Sequence, residues 1–167
     1  MSIQDFYAAA QAQEFARDFQ FRVRTLGPFV ESDLLYIKTA TLPGKEITNQ
    51  AVPFMGLEFN VPGSVKYTGS ESWVINFRCD EGLNIRNKLE NWIKEIFDDE
   101  DSTGKYGVPT EQASMDLLGK DLNPIRRYNF IGIYPVSLGP LTYDIQGTGA
   151  PLDFDATFAY QYWRLSE

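Results

Sequence analysis

The chain has 167 residues, 43% of them hydrophobic and 23% charged, which is typical of a single folded domain rather than a disordered chain. Its formal net charge of −8 argues against a nucleic-acid clamp, because phosphate binding needs clustered Lys and Arg. With no histidine and one cysteine, the sequence lacks the commonest general base and metal ligand and has no possible internal disulfide. We expect neither a secretory signal nor a membrane span, because no basic n-region precedes an apolar segment and no run reaches about 18 apolar residues.

The first predicted elements are a helix and two strands. Ala-rich residues 3–17 favour a short, weakly amphipathic N-terminal helix. Residues 19–24 alternate apolar and polar side chains, which indicates a half-buried strand, and residues 34–41 predict a second strand. Because Gly27-Pro28 is typical of a turn, we expect these two strands to form a hairpin.

An apolar, irregular segment follows at residues 45–69. Leu57, Phe59 and Val61 alternate with polar residues, and Pro62-Gly63 is typical of a turn, so the segment is expected to contain a hairpin of its own. A solvated loop rarely carries this many apolar residues. An exposed apolar hairpin usually marks a surface that binds a partner.

The middle of the chain predicts a strand, a helix and a loop. Residues 71–79 form the clearest strand, and residues 84–97 place apolar side chains at helical spacing, with Asn84 or Asp80 as the N-terminal cap. The acidic, polar residues 98–110 predict a mobile loop. The apolar residues on the predicted helix face are Ile85, Leu89, Trp92, Ile93 and Ile96.

Four further strands are predicted in the last third of the chain, at residues 112–118, 126–134, 141–146 and 153–163. Strands on both sides of one strong helix indicate a mainly β (α+β) protein, with an antiparallel β-sandwich or barrel and one flanking helix. No internal repeat or linker divides the sequence, so we expect one domain over residues 1–167.

No histidine, cysteine or glycine motif has the spacing that catalysis or metal binding requires. Asp153 and Asp155 share a strand face, but acids near the start of a strand are typical of a surface and not of a catalytic carboxylate pair. Cys79 shares a strand face with Trp73 and Phe77, which indicates a buried apolar residue rather than a reactive thiol. The contiguous acids of residues 98–101 do not match the alternating ligands of a calcium loop, so a solvated loop is favoured. We therefore expect no catalytic residue, no metal ligand and no cofactor, and a protein that is not an enzyme.

The order of landmarks along most of the chain resembles the tail tube protein family of contractile-tailed bacteriophages. The most specific pieces are Thr39-Ala40-Thr41-Leu42-Pro43 followed by Pro53-Phe54-Met55, and the closing Tyr160-Gln161-Tyr162-Trp163. Supporting pieces are Phe19-Gln20-Phe21-Arg22-Val23, Trp73-Val74-Ile75-Asn76-Phe77, Arg86 and Trp92 in the helix, and Gly132-Ile133-Tyr134-Pro135-Val136. The architecture is also similar to that of the type VI secretion tube protein.

The resemblance implies a structural subunit that forms hexameric rings. The rings would stack into a tube that conducts viral DNA during ejection. Implied partners are other copies of the chain, the tail sheath protein, a baseplate or tube initiator, the tail terminator, the tape measure protein and, transiently, DNA in the lumen, with no membrane. The implied location is the virion tail, after assembly in the host cytoplasm.

Two sets of residues are expected to serve such a tube. The segment 45–69 is predicted to be an assembly arm between stacked rings, since stacking needs an interface besides the one that closes the ring. Carboxylates lining the lumen would repel DNA phosphates and let the DNA slide. The predicted stacking residues are Phe54, Met55, Leu57, Phe59 and Val61, and the predicted lumen-facing acids are Asp116, Asp144, Asp153 and Asp155.

Two alternatives remain open at the level of the sequence. One is a related tail component, such as a tube initiator or terminator. The other is a monomeric, all-β ligand-binding module.

Overall fold

The computed structural model describes residues 2–166. The helices are α1 (Ile3–Ala12), α2 (Glu31–Leu34) and α3 (Asn84–Ile96). The first strands are β1 (Phe21–Leu26), β2 (Ile37–Ala40), β3 (Glu46–Phe54), β4 (Leu57–Lys66) and β5 (Trp73–Arg78). The others are β6 (Phe97–Asp98), β7 (Thr103–Gly104), β8 (Gln112–Leu118), β9 (Pro124–Ile131), β10 (Tyr134–Leu138), β11 (Asp153–Ala159) and β12 (Tyr162–Ser166). Within the described range, no helix is long and apolar enough to cross a membrane.

Two four-stranded antiparallel sheets form a sandwich. The first sheet has the strand order β1-β8-β9-β12 and the second has the order β10-β11-β5-β2. Alternating burial along β5 and β11 turns one face of the second sheet inward. The rings of Trp73 and Phe130, one from each sheet, stack with their centroids 4.3 Å apart. The predicted mainly β fold is confirmed, and of the sandwich and the barrel it is the sandwich that forms.

Helix α3 packs its apolar face into the core shared by the two sheets. Ile85, Leu89 and Trp92 are buried, as the helical spacing predicts. The indole of Trp92 lies 5.9 Å from the ring of Phe158, measured between centroids. Leu83 occupies the N-cap position, but the carboxylate of Asp80, one of the two predicted caps, accepts hydrogen bonds from the first backbone N–H groups of the helix.

The predicted hairpin between the first two strands is wrong. β1 pairs with β8 in the first sheet, whereas β2 pairs with β5 in the second. The short helix α2 separates them and carries the chain from one sheet to the other. The prediction failed because a Gly-Pro turn specifies a change of direction but not the strand that each flank joins.

Three other boundaries differ from the prediction. Residues 126–134 divide at Gly132, whose positive φ of 68° ends β9 and allows β10 to join the other sheet. Residues 153–163 likewise divide into β11 and β12. Residues 141–146 form no strand. In the turn found there, the carboxylate of Asp144 accepts a hydrogen bond from the N–H of Gln146, and its backbone carbonyl accepts one from the N–H of Gly147.

Candidate assembly surfaces

The assembly arm predicted at residues 45–69 is a long β-hairpin that extends from the sandwich. β3 and β4 pair with each other in antiparallel register over most of their length. The two-residue turn between them has positive φ at both Met55 and Gly56, which is the backbone geometry of a type I′ hairpin turn. The turn predicted at Pro62-Gly63 is wrong, because these two residues lie within β4 and face β3. Of the residues in these two strands, all except Thr48 are exposed.

One face of the arm is apolar. Phe54 lies opposite Leu57, and Val52 lies opposite Phe59, in the strand register. Since side chains alternate between the faces of a strand, these residues and Val61 project from the same face. The opposite face carries Glu58, Asn60 and Pro62 among its residues. The arm is therefore amphipathic, and its apolar face is exposed.

Four of the five predicted stacking residues share this face. The fifth, Met55, lies at the tip of the turn with 89% of its surface exposed. Val52 belongs to the same face and was missed by the sequence prediction. Its position two residues before Phe54 would have identified it.

The four predicted lumen acids lie in different surroundings. Asp116, on β8, has only 4% of its side chain exposed and accepts hydrogen bonds from the guanidinium of Arg127 at 2.7 and 3.1 Å. Those hydrogen bonds and the carboxylate charge raise the pKa of Arg127 above its usual value. The charge of Asp116 is thus already paired within the chain.

Asp153 and Asp155 lie together on the outward face of β11. The carboxylate of Asp153 is 2.6 Å from Nζ of Lys38, and Asp155 accepts a hydrogen bond of 2.8 Å from the side-chain amide of Asn76. Asp144 is exposed in the loop that leads to β11. The structure therefore brings two of the four acids onto one sheet face, while Asp116 is in the other sheet.

Cys79 is half-buried at the end of β5, beside the hydrophobic core. Burial raises the pKa of its thiol, and the charge of Arg86 only partly opposes this. A raised thiol pKa disfavours the reactive thiolate, so this position has the character of a small apolar residue. No cluster of three or more metal-ligating side chains occurs in residues 2–166.

The described fold is that of subunits found in contractile injection systems. A chain of the sheath-tube complex of an extracellular contractile injection system matches with a TM-score of 0.61 and 14% identity, over 99% of this chain and 98% of that one. A chain of the tube-terminating cap of the anti-feeding prophage matches with a TM-score of 0.65 and 15% identity, over 92% of each chain. No family model matches the sequence.

Comparison of the sequence gives more specific relatives than comparison of the fold. It is 24% identical to the tail tube protein of Enterobacteria phage T4 over 168 residues, covering 98% of this chain and 99% of that protein. The tail tube protein of Enterobacteria phage T6 matches with the same identity and coverage. The resemblance to phage tail tube proteins is therefore confirmed over nearly the whole chain.

Proposed function

We propose that this protein is the structural subunit of a contractile phage tail tube, in which hexameric rings stack into the conduit for viral DNA. The observation that carries the proposal is the similarity to two phage tail tube proteins along nearly the whole of both chains. A local match would reflect a shared motif, whereas a match of this extent includes both sheets, the arm and α3. The subunit is not an enzyme and needs no cofactor.

The assembly arm joins each ring to the next. An isolated two-stranded hairpin is marginally stable in water, and this arm exposes an apolar face along its length. Docking that face on another copy removes apolar surface from water, which stabilises the contact by roughly 25 cal/mol per Å². A repeated head-to-tail contact of this kind extends a stack of rings instead of closing a dimer.

The excess of acidic residues serves the lumen. Asp144, Asp153 and Asp155 are the exposed members of the predicted set, and two of them share one sheet face. Facing a channel, they repel DNA phosphates from every side. The tape measure protein and then DNA occupy this channel. Outside it are the sheath, the baseplate or initiator and the terminator, all assembled in the host cytoplasm into the virion tail.

The test is the assembly state of the purified full-length chain. Native mass spectrometry is expected to find hexamers, and negative-stain electron microscopy is expected to find tubes with a continuous central channel. A chain that stays monomeric over a hundredfold range of concentration, with and without added baseplate components, contradicts the proposal.

A tube-end component is the second candidate. The fold also matches a chain in the tube-terminating cap structure of the anti-feeding prophage, with a TM-score similar to that of the sheath-tube complex. A terminator stops growth, so it forms rings but no long tubes on its own. The length distribution of the assemblies therefore separates the two candidates.

A further inference from the structure

We propose that Trp163 clamps the base of the assembly arm and thereby sets the direction in which the arm leaves the sandwich. Trp163 is then a positioning residue for ring stacking. This inference rests on the proposed function, because it gives a role to the same arm. It concerns a residue that lies about a hundred positions from the arm along the chain.

Both strands of the arm contact the indole of Trp163 through the residue at their base. Lys45 immediately precedes β3, and its Nζ lies 4.8 Å from the centroid of the indole. Tyr67 immediately follows β4, and its ring meets the indole edge-on with the centroids 6.0 Å apart. One side chain of the body therefore holds the beginning and the end of the arm together.

The indole is itself held by the first sheet. Trp163 lies on β12 opposite Phe130 of β9, and its half-buried side chain packs against the hydrophobic core. Tyr128, also on β9, meets the indole edge-on with the centroids 5.4 Å apart. Edge-to-face contacts of this kind fix ring orientation as well as position. The clamp is therefore a rigid part of the sandwich and not a flexible surface side chain.

The chain on either side of the arm is tied to the body by hydrogen bonds. The indole N–H of Trp73 donates to the carbonyl of Thr41 at 2.7 Å, and the backbone N–H of Tyr160 donates to the carbonyl of Ser70 at 2.8 Å. These ties lie several residues outside the hairpin, so they fix where the arm begins without fixing its angle. The contacts of Lys45 and Tyr67 with Trp163 lie at the base of the arm and supply that constraint.

Small angular errors at the base become large displacements at the tip. β4 has ten residues, which span about 30 Å at roughly 3.3 Å per residue. A rotation of about 10° at the base then moves Met55 by about 5 Å, more than the distance over which apolar atoms remain in contact. An arm without its clamp would present the same apolar face in the wrong place.

Two pairs of variants test the clamp. Trp163→Phe keeps an aromatic ring and removes no hydrogen bond, because the indole N–H has no acceptor within the described part of the chain, whereas Trp163→Ala removes the ring. Lys45→Arg keeps a cation over the ring, and Lys45→Glu reverses the charge at an exposed position where misfolding is not expected. Thermal unfolding identifies any variant that fails to fold. If a Trp163 variant does not fold, comparison of Lys45→Arg with Lys45→Glu decides whether the clamp exists.

The first measurement is the rate of trypsin cleavage after Lys66 at the base of the arm, relative to cleavage after Lys105. Lys105 is exposed in the loop beside α3 and serves as an internal reference. Lys45→Glu is expected to raise the ratio about two- to fivefold, the equilibrium effect of losing an exposed cation–π contact. Trp163→Ala is expected to raise it further, while Trp163→Phe and Lys45→Arg stay near the unsubstituted protein.

The second measurement is tube length in electron micrographs. Trp163→Ala and Lys45→Glu are expected to form rings but few long tubes. The proposal is overturned if Trp163→Ala and Lys45→Glu both show unchanged cleavage ratios and form tubes of full length. It is also overturned if Trp163→Phe is as defective as Trp163→Ala. If the unsubstituted protein itself forms no tubes, the proposed function fails, and the cleavage ratio alone still decides whether the clamp exists.

Discussion

Gly27 illustrates how a single residue fixes the approach of α3 to the sandwich. Its φ is +48°, a conformation that costs L-residues about 1–2 kcal/mol. A Cβ built at this position would lie 2.4 Å from the ring of Trp92, which is buried in the hydrophobic core. The absence of a side chain at Gly27 is therefore what lets the helix seat its largest apolar residue.

Gly27→Ala is expected to destabilise the protein by about 3 kcal/mol, because overpacking adds to the backbone strain. Gly149→Ala is the matched control, since Gly149 also has positive φ but a Cβ there would meet nothing within 4 Å. The control is expected to cost only about 1 kcal/mol. Urea denaturation of both variants measures the difference, and equal losses would show that the contact with Trp92 contributes nothing.

Asp80 gives α3 a cap whose strength depends on pH. Burial tends to raise the pKa of Asp80, but the hydrogen bonds from Asn84 and Ile85 outweigh it and lower the pKa below its usual value. The charged carboxylate therefore stabilises the fold above about pH 4, and this contribution is lost as the pH falls through the lowered pKa.

Asp80→Ala is expected to lower the free energy of unfolding by about 1 kcal/mol at pH 7, the usual cost of losing a helix cap. The difference between this variant and the unsubstituted protein should narrow as the pH falls from 7 to about 3. Asp80→Asn, which keeps an acceptor oxygen, serves as the control and should lose less. A difference that stays constant across this range would contradict the capping role.

At the scale of the element, the assembly arm is defined by the contrast between its faces. Phe59 projects from the apolar face, while Asn60, the next residue, projects from the opposite one. Both are exposed in the isolated chain, so a charge at either position should leave the fold intact. Only a charge on the docked face has to be desolvated when rings stack.

Phe59→Asp is accordingly expected to weaken ring stacking at least about tenfold, the equivalent of losing one buried Phe. Asn60→Asp adds the same charge to the same strand and should assemble normally. Sedimentation and tube length in electron micrographs measure the effect. If the two variants assemble equally well, or equally badly, the apolar face is not the stacking surface.

The sequence predicted the elements that are determined by neighbouring residues, and it failed where contacts between distant residues decide. Helix α3 ends within one residue of its prediction, because the helical spacing of its apolar residues is a local signal. β8 also occupies the predicted residues. The hairpin within residues 45–69 was predicted from its alternating apolar residues, whereas its role in assembly stays a prediction. β1 and β2 were assigned to one hairpin because their true partners, β8 and β5, are chosen by tertiary packing. Trp163 was noted only for its motif, since its contact with Lys45 spans more than a hundred residues.

At the scale of the whole molecule, the distribution of charge matters more than its total. Many acids surround α3 and the loop that follows it, at a distance in sequence from β11. Asp116 is buried against Arg127, so it adds no free charge to any surface. Asp153 is also paired, with Lys38, but unlike Asp116 its carboxylate is exposed. The proposed lumen therefore depends on Asp144, Asp153 and Asp155, and replacing them tests location separately from net charge.

The triple variant Asp144→Asn, Asp153→Asn, Asp155→Asn changes the net charge of the chain from −8 to −5 and releases Lys38 from its ion pair with Asp153. Assembled tubes of this variant are expected to retain short duplex DNA at least about tenfold better at 50 mM salt, an effect that higher salt should abolish. The matched control is Asp99→Asn, Glu100→Gln, Asp101→Asn, which removes the same charge from exposed positions in the turn between β6 and β7 and likewise releases a lysine, Lys94, from an ion pair. Because β6 and β7 pair only with each other and not with the sheet that contains β11, the control tubes should release DNA as the unsubstituted tubes do. Equal retention by both triple variants would mean that total charge, and not a lumen lined by these three acids, keeps the DNA from binding.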